Sequence, residues 1–289
     1  MSAVAILGAT SQIASDFIYR ASASHTLFLY ARSNFEPFSA FGKMHYDAII
    51  NCVGVGDPAK AAEMGGSIAD ITLQFDTLAL DYAKANPGCR YIFLSSGAAY
   101  GGDFAEPATG RIQPSFANTS QDIYGAAKFT AECRHRAAKE LHIVDIRLFN
   151  YFSRTQNLGA RFFITDMLRA LKNGETFQTS PATMTRDYLH PDDFAQLIEA
   201  ILQFPPANVA LDAYSRAAIE KFALLEAVKQ HFGLHYEVDK NAATVNATGI
   251  KTNYYSIYRR AAKFGYKPAY TSLEGLMLEI GAILAKVAA

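Results

Sequence analysis

Val4-Ala5-Ile6-Leu7-Gly8-Ala9-Thr10-Ser11-Gln12-Ile13-Ala14-Ser15-Asp16-Phe17-Ile18 carries the reading of the fold. Four apolar residues in a row fit a strand covered on both faces. Gly8 is placed for a tight turn, and from Ser11 onward the pattern reads as a helix. A strand, a glycine turn and a helix start in that order can cradle a pyrophosphate, because helix N–H groups and the helix dipole favour an anion there. Ser11 and Ala14 stand where dinucleotide folds often carry glycine, and both are small enough to allow close approach. Gly8, Thr10, Ser11, Gln12 and Ile13 are the candidate contacts. On these residues alone, an ordinary strand-to-helix turn explains the pattern equally well.

The same rhythm continues. Short apolar runs at Val4–Leu7, Thr26–Tyr30, Ala48–Val53, Tyr91–Ser95 and Ile143–Leu148 alternate with helical patterns at Ser11–Ala21, Ile68–Ala85 and Tyr124–Leu141. This alternation predicts a doubly wound parallel α/β sheet of Rossmann type. The stretch Ser33–Asp47 is too short for a full crossover, strand and second crossover, so one element of the usual nucleotide-binding half should be shortened or missing. After about Asn150 the rhythm changes. Helical patterns at Phe162–Leu171, Phe194–Phe204, Ile219–Phe232 and Leu273–Ala288 suggest a smaller substrate-binding lobe. The expected division is a dinucleotide-binding domain over 1–150 and a substrate lobe over 151–289, with about 185–215 returning to the main sheet.

Composition excludes several classes. With 289 residues, half of them hydrophobic and 12% aromatic, the chain can bury a large core and does not read as disordered. The 27 basic and 27 acidic side chains balance. There is no basic footprint of a nucleic-acid binder and no polybasic membrane anchor. Three cysteines, Cys52, Cys89 and Cys133, with no CxxC pair, argue against a disulfide framework or a cysteine zinc site. No other metal-ligand set is apparent. No run approaches the ~20 apolar residues of a membrane span, and the apolar start breaks at Gly8. A cytoplasmic protein is expected.

The end of the second strand bears on the cofactor. An NAD site commonly places an acid ~20 residues past the glycine turn, to hold the ribose diol. Arg32 stands there instead, with Ser33 beside it. A guanidinium fork suits a 2′-phosphate, which favours NADP(H) and leaves NAD(H) possible. A solvated surface arginine is the bland alternative. Asn51-Cys52-Val53-Gly54 closes the third strand, with Val53 and Gly54 as cofactor contacts. Gly54 and Gly56 would allow the backbone close to the adenosine side, and a simple loop of small residues is the alternative.

The sharpest signal is Tyr124-Gly125-Ala126-Ala127-Lys128. The i, i+4 spacing puts phenol and ammonium on one helical face, where the cation should lower the phenol pKa. Such a tyrosine can exchange a proton with a hydroxyl or carbonyl while hydride moves. Alone, the pair is more often a surface lysine beside a packing tyrosine. Upstream, Leu94-Ser95-Ser96-Gly97-Ala98-Ala99-Tyr100-Gly101 reads as a strand end followed by hydroxyls. It would present Ser96 at the same crevice to steady a developing alkoxide.

Gly8–Ala14, Ser95–Gly101, Tyr124–Lys128 and Arg147-Leu148-Phe149-Asn150 together resemble the extended short-chain dehydrogenases/reductases, in the nucleotide-sugar epimerase/dehydratase branch. Arg186-Asp187-Tyr188-Leu189-His190-Pro191-Asp192-Asp193, Phe264–Pro268 and Ser272–Leu276 add to the likeness, which spans nearly the whole chain. It implies Ser96, Tyr124 and Lys128 as the catalytic trio. It also implies Ser95, Phe149 and Asn150 beside the cofactor, with Tyr151 near the nicotinamide end. Ser96, Asn150 and Arg186 would face a nucleotide-sugar substrate, with Arg186 on its diphosphate. A structural salt bridge from Arg186 to Asp187 or Asp193 is the alternative. Asp192 and Asp193 should cap the following helix, and His190 should be a packed residue. Asn157, Arg161, Phe162, Thr179 and Tyr255 are weaker pocket candidates. A homodimer through the Ile68–Ala85 and Tyr124–Leu141 helices is part of the same resemblance.

The resemblance also narrows the reaction. The 4,6-dehydratases of this branch carry an Asp-Glu pair where this chain has Gly97 and Ala98, and a 3,5-epimerising reductase would carry a cysteine there. An NADPH-dependent 4-ketoreductase acting on a 4-keto-6-deoxy nucleotide sugar remains, favoured by Arg32. An NAD-dependent C4-epimerase, a non-catalytic dinucleotide sensor and a reductase of a non-sugar carbonyl are the alternatives.

Overall fold

The computed structural model describes residues 1–31, 41–55, 63–112, 114–115, 122–239 and 251–285. Its centre is a six-stranded sheet of β1 (Ala3–Leu7), β2 (Thr26–Tyr30), β3 (Ala48–Asn51), β4 (Arg90–Ser96), β5 (His142–Leu148) and the strand Val209–Asp212. Across the sheet the order is β2-β1-β3-β4-β5, with Val209–Asp212 beyond β5. Every pairing is parallel. The predicted Rossmann-type α/β sheet is therefore the observed one. Among the described residues β2 forms the sheet edge, in keeping with the short Ser33–Asp47 interval.

Continuous apolar strands follow from having two covered faces. Val4, Ile6, Ile50, Ile92 and Ile146 pack with helices α1 (Gln12–Ala21) and α5 (Pro191–Gln203). The alternate residues Ala5, Leu7, Ile49, Phe93 and Ile143 pack with α2 (Ser67–Ala85) and α3 (Asp122–Ala137). The strand Val209–Asp212 lies within the 185–215 stretch expected to return to the main sheet, although four residues give too short a run to be read as a strand. It extends the main sheet beyond β5, from Val209 opposite Val144 to Asp212 opposite Arg147. A separate core unites α4 (Phe163–Asn173), α6 (Lys221–Phe232) and α7 (Ser272–Ala285). No helix among the described residues is long and apolar enough to cross a membrane.

Helix α5 begins earlier than its apolar pattern suggests. His190 is its N-cap, accepting from the Asp192 N–H through Nδ1, and Pro191 follows at the first helical position. Asp192 and Asp193 therefore do not cap it. They lie in its first turn, where acids suit the helix dipole, and Asp193 accepts from the Ala269 and Tyr270 N–H groups. His190 is buried, with Nε2 3.2 Å from Glu279.

Helices α2 and α3 are fixed to the sheet by a buried ion cluster. The His135 ring bridges Asp76 through Nε2 and Asp145 through Nδ1, both at 2.6 Å. Arg134 and Tyr91 also donate to Asp76. An imidazole that serves two carboxylates must donate from both nitrogens, so the charged form is required. Burial opposes that charge, but Asp145 and Asp76 outweigh it and raise the pKa from 6.5 to about 9. A raised folded-state pKa stabilises fully below about 6.5, and the contribution disappears as pH rises through about 9. Urea unfolding of wild type should therefore show stability falling over that window. His135→Gln should be less stable at pH 6.5 and lose that part of the decline.

Candidate active site

The site lies at the carboxyl ends of β1, β3, β4 and β5, where the strand order reverses around β1 and ligands of open α/β sheets bind. Gly8 has φ +75°, and a Cβ there would stand 3.1 Å from the Cys52 carbonyl carbon and oxygen and the Val53 nitrogen. Only glycine lets this turn close against the end of β3. Ser11 caps α1, accepting from the Ala14 N–H. The other N–H groups of the first turn have no intrahelical acceptor by geometry. Glycine turn, open helix start and small residues thus fit a dinucleotide pyrophosphate. Thr10 is exposed and Ile13 packs partly into the core. Gln12 donates through Nε2 to Ser153 Oγ at 2.9 Å, spanning from α1 to the segment after Asn150. Arg32, Ser33 and Gly56 lie outside the described residues.

Ser96 ends β4 and caps the 3₁₀ turn Gly97–Tyr100, with its Oγ accepting from the Ala98 N–H. Tyr124 and Lys128 lie one turn apart on α3. The Tyr124 phenol is a neighbour of the Ser96 hydroxyl, close enough to feel it. The expected lysine effect on that phenol is absent. Burial raises the Tyr124 pKa, and the Ser96 hydroxyl is what pulls it back. The reason is geometric, because Lys128 is turned inward. Its Nζ donates to the Leu94 carbonyl at 2.7 Å and the Val53 carbonyl at 3.4 Å, above the Phe93 ring. It stands 5.9 Å from the Tyr124 ring centre. Burial lowers its pKa to about 8.

Four aromatic rings, Tyr100, Phe104, Phe149 and Tyr254, close around this centre. A Cβ at Gly97 would fall 2.5–3.0 Å from Phe149 ring carbons. The Tyr254 hydroxyl lies 3.4 Å from Ser96 Oγ. Two cations flank the Tyr254 ring: Lys251 Nζ at 4.6 Å and the Arg186 guanidinium at 5.9 Å from its centre. Burial and the Arg186 charge lower the Lys251 pKa to about 8, against the pull of Asp122. Arg186 is buried and donates to the Thr185 and Thr252 carbonyls. No carboxylate among the described residues pairs with it. Asp187 binds Ser215 and Ser272 instead. The salt-bridge alternative for Arg186 is thereby removed. Asn150, half-buried on β6 (Asn150–Tyr151), donates to the Asp187 carbonyl.

Beneath the site runs a buried polar network. Arg147, on β5, makes a bidentate pair with Glu132 of α3 at 2.6–3.0 Å and also reaches Asp212 and the Tyr100 hydroxyl. Burial opposes the Arg147 charge, and the bonds to Glu132 outweigh it. The Ser95 hydroxyl donates to Glu132 at 2.6 Å. Alternation along β4 puts adjacent side chains on opposite faces. The Ser95 side chain therefore belongs to this network rather than to the cofactor face.

A family profile described as the NAD dependent epimerase/dehydratase family matches residues 7–215. The chain belongs to this family. No curated protein matches it. Among solved structures it is similar to UDP-glucose 4-epimerase of Thermotoga maritima with UDP-glucose, at 15% identity and TM-score 0.81, covering 99% of this chain and 100% of that one. It is also similar to RMD of Pseudomonas aeruginosa complexed with NADPH, at 18% identity and TM-score 0.79, covering 99% and 100%. A third is dTDP-glucose 4,6-dehydratase of Bacillus anthracis in complex with NAD, at 14% identity and TM-score 0.79, covering 99% and 97%. At these identities the likeness is one of fold.

Within the family frame, the sequence reading missed Tyr254 and Lys251. It singled out Tyr255, the neighbour whose carbonyl accepts from the Ala108 N–H. The signal available was the adjacent pair Tyr254-Tyr255, one of which must face inward on a strand. The other pocket candidates have local duties. Asn157 accepts from the Gly159 N–H, Arg161 pairs with Asp166, Phe162 precedes α4 as its N-cap, and Thr179 lies in a strand paired with Tyr236–Val238. Gly97→Ala, which drives a methyl into the packed Phe149 ring, should cost about 1–3 kcal/mol by denaturant unfolding. Unchanged stability would mean that the ring is not confined there.

Proposed function

We propose that the chain is an NADPH-dependent reductase of a 4-keto-6-deoxy nucleotide sugar. The observation that carries this reading is the Tyr124 phenol beside the Ser96 hydroxyl, where the turn capped by Ser96 has no room for a side chain at 97. Elimination of water would need an acid and a base at positions 97 and 98. Phe149 fills the space that the first of them would use. Proton exchange at one oxygen is what remains for this centre.

The roles follow from the geometry. NADPH, with its pyrophosphate at the Gly8 turn and the start of α1, would supply the hydride for a C4 carbonyl. Tyr124 gives its phenolic proton to the C4 oxygen, so that C=O becomes CH–OH. Burial keeps Tyr124 protonated, and that suits donation better than the proton abstraction with which an epimerase would begin. Ser96 donates a hydrogen bond to the same oxygen as it gains charge. The Lys128 ammonium supports return of the proton to Tyr124. Arg186, buried without an acidic partner among the described residues, holds the diphosphate. In this reading residues 1–150 bind the dinucleotide, and residues 151–289 bind the sugar nucleotide.

Titration with NADPH and NADH, followed by nicotinamide fluorescence, tests the cofactor half. NADPH should bind more tightly, and Arg32→Ala should abolish the difference. Copurified NAD with no NADPH preference would point to the C4-epimerase instead. Arg186→Ala should weaken nucleoside-diphosphate binding about tenfold or more and leave NADPH binding intact. Equal nucleoside-diphosphate binding would favour a non-sugar carbonyl. With a 4-keto nucleotide sugar, kcat/KM should fall as pH rises through about 8, where Lys128 loses its charge. Lys128→Arg should move that limb upward.

A further inference from the structure

The segment Lys251-Thr252-Asn253-Tyr254-Tyr255-Ser256 is fastened across the loop that follows Ser96. The Asn253 N–H donates to the Phe104 carbonyl at 2.8 Å, and its side-chain amide donates to Ala105 at 2.5 Å. The Ala108 N–H donates to the Tyr255 carbonyl, and the Ile257 N–H to the Ala108 carbonyl. The Ser256 hydroxyl lies 2.5 Å from Asp212 on the last strand of the main sheet. On the other side Asn253 and Tyr254 pair in parallel with Thr185 and Arg186. Tyr254 is therefore held from both flanks. Its ring meets Phe104 at 4.8 Å and Phe149 at 5.2 Å, both edge to face. Its hydroxyl is thus aimed at Ser96 by a rigid frame.

Ser96 then lies between two phenols, with Tyr124 beside it and the Tyr254 hydroxyl 3.4 Å from its Oγ. We propose that Tyr254 supplies a third hydroxyl at the reacting oxygen, donating to it together with Ser96 while Tyr124 transfers the proton. This assignment rests on the reductase reading above. The 3.4 Å separation between the Tyr254 and Ser96 oxygens exceeds the usual O–H···O distance of about 2.7–2.8 Å. The bond is long, so the two hydroxyls share a hydrogen only loosely at rest and can both turn to one incoming oxygen. Burial keeps the Tyr254 phenol protonated, against the pull of Ser96 and Arg186, so it remains a donor at neutral pH. The cations against its ring polarise the O–H outward. A donor fixed before the substrate arrives costs no reorganisation as charge develops on the oxygen.

A consequence follows that needs no substrate. Ser96 has one hydroxyl hydrogen and can give it to one phenol at a time. Removing the Tyr254 hydroxyl leaves that hydrogen to Tyr124 and stabilises its phenolate. Tyr254→Phe keeps the ring and its packing, and NADPH binding reports that the variant is folded. Tyr124 is titrated by tyrosinate absorbance, as the difference from Tyr124→Phe in the same background. Its midpoint should move to lower pH in Tyr254→Phe and stay in place in the control Tyr255→Phe. In turnover of a 4-keto nucleotide sugar, kcat should fall about tenfold while KM and the NADPH Kd hold. An unchanged Tyr124 midpoint overturns the proposal whatever the substrate proves to be, as does an unchanged kcat. A shifted midpoint without turnover of any nucleotide sugar overturns the substrate reading and leaves Tyr254 at the reaction centre.

Discussion

The Arg147 guanidinium is the point on which the site is built. It is buried beside two carboxylates, Glu132 and Asp212, and without it both would be left as uncompensated charges in the interior. Each of its partners leads to a different part of the reaction centre. Glu132 lies one helical turn beyond Lys128 and holds Ser95, the neighbour of Ser96. The Tyr100 hydroxyl, bonded to Arg147 and Asp212, closes the turn that begins at Gly97. Asp212 also holds Ser256, two residues beyond Tyr254. One cation thereby sets the relative position of strand β4, helix α3, the Gly97–Tyr100 turn and the segment that carries Tyr254. The network serves positioning more than stability, because an apolar packing of similar shape would avoid the desolvation cost.

The aromatic closure over this network limits the chemistry. Phe149 lies so close to Gly97 that the turn cannot hold a side chain there. Among the described residues, hydroxyl groups and no carboxylate stand at Ser96, Tyr124 and Tyr254. The buried phenol of Tyr124 favours its protonated form, and Lys128 is engaged by strand carbonyls rather than by the phenol. The two features together leave the Tyr124 phenol protonated at rest.

Much of this was legible in the sequence wherever the cause is local. Runs such as Ala48–Asn51 read as strands because both sides are covered. Gly8 read as a tight turn because nothing else fits a positive φ beside another strand. Tyr124 and Lys128 share a helical face by spacing alone. What escaped the reading depends on distant partners. Lys128 turns to carbonyls on β4 and after β3, which spacing along α3 cannot reveal. Whether Tyr254 or Tyr255 faces the site is set by the register with Arg186. The Ser95 and Ser96 hydroxyls are identical in type, and only the fold shows that Ser95 reaches Glu132 while Ser96 ends the strand and caps the next turn. Whether Arg186 pairs with Asp187 is decided by Ser215 and Ser272, which claim that carboxylate first.

The most direct measurement follows the hydride itself. A 4-keto-6-deoxy nucleotide sugar is incubated with NADPH deuterated at the transferring position, and the product is examined by proton NMR. The expected result is deuterium at C4 of the sugar, with one NADPH consumed for each product formed. Interconversion of C4 epimers with no net NADPH consumption and no deuterium at C4 would contradict the account.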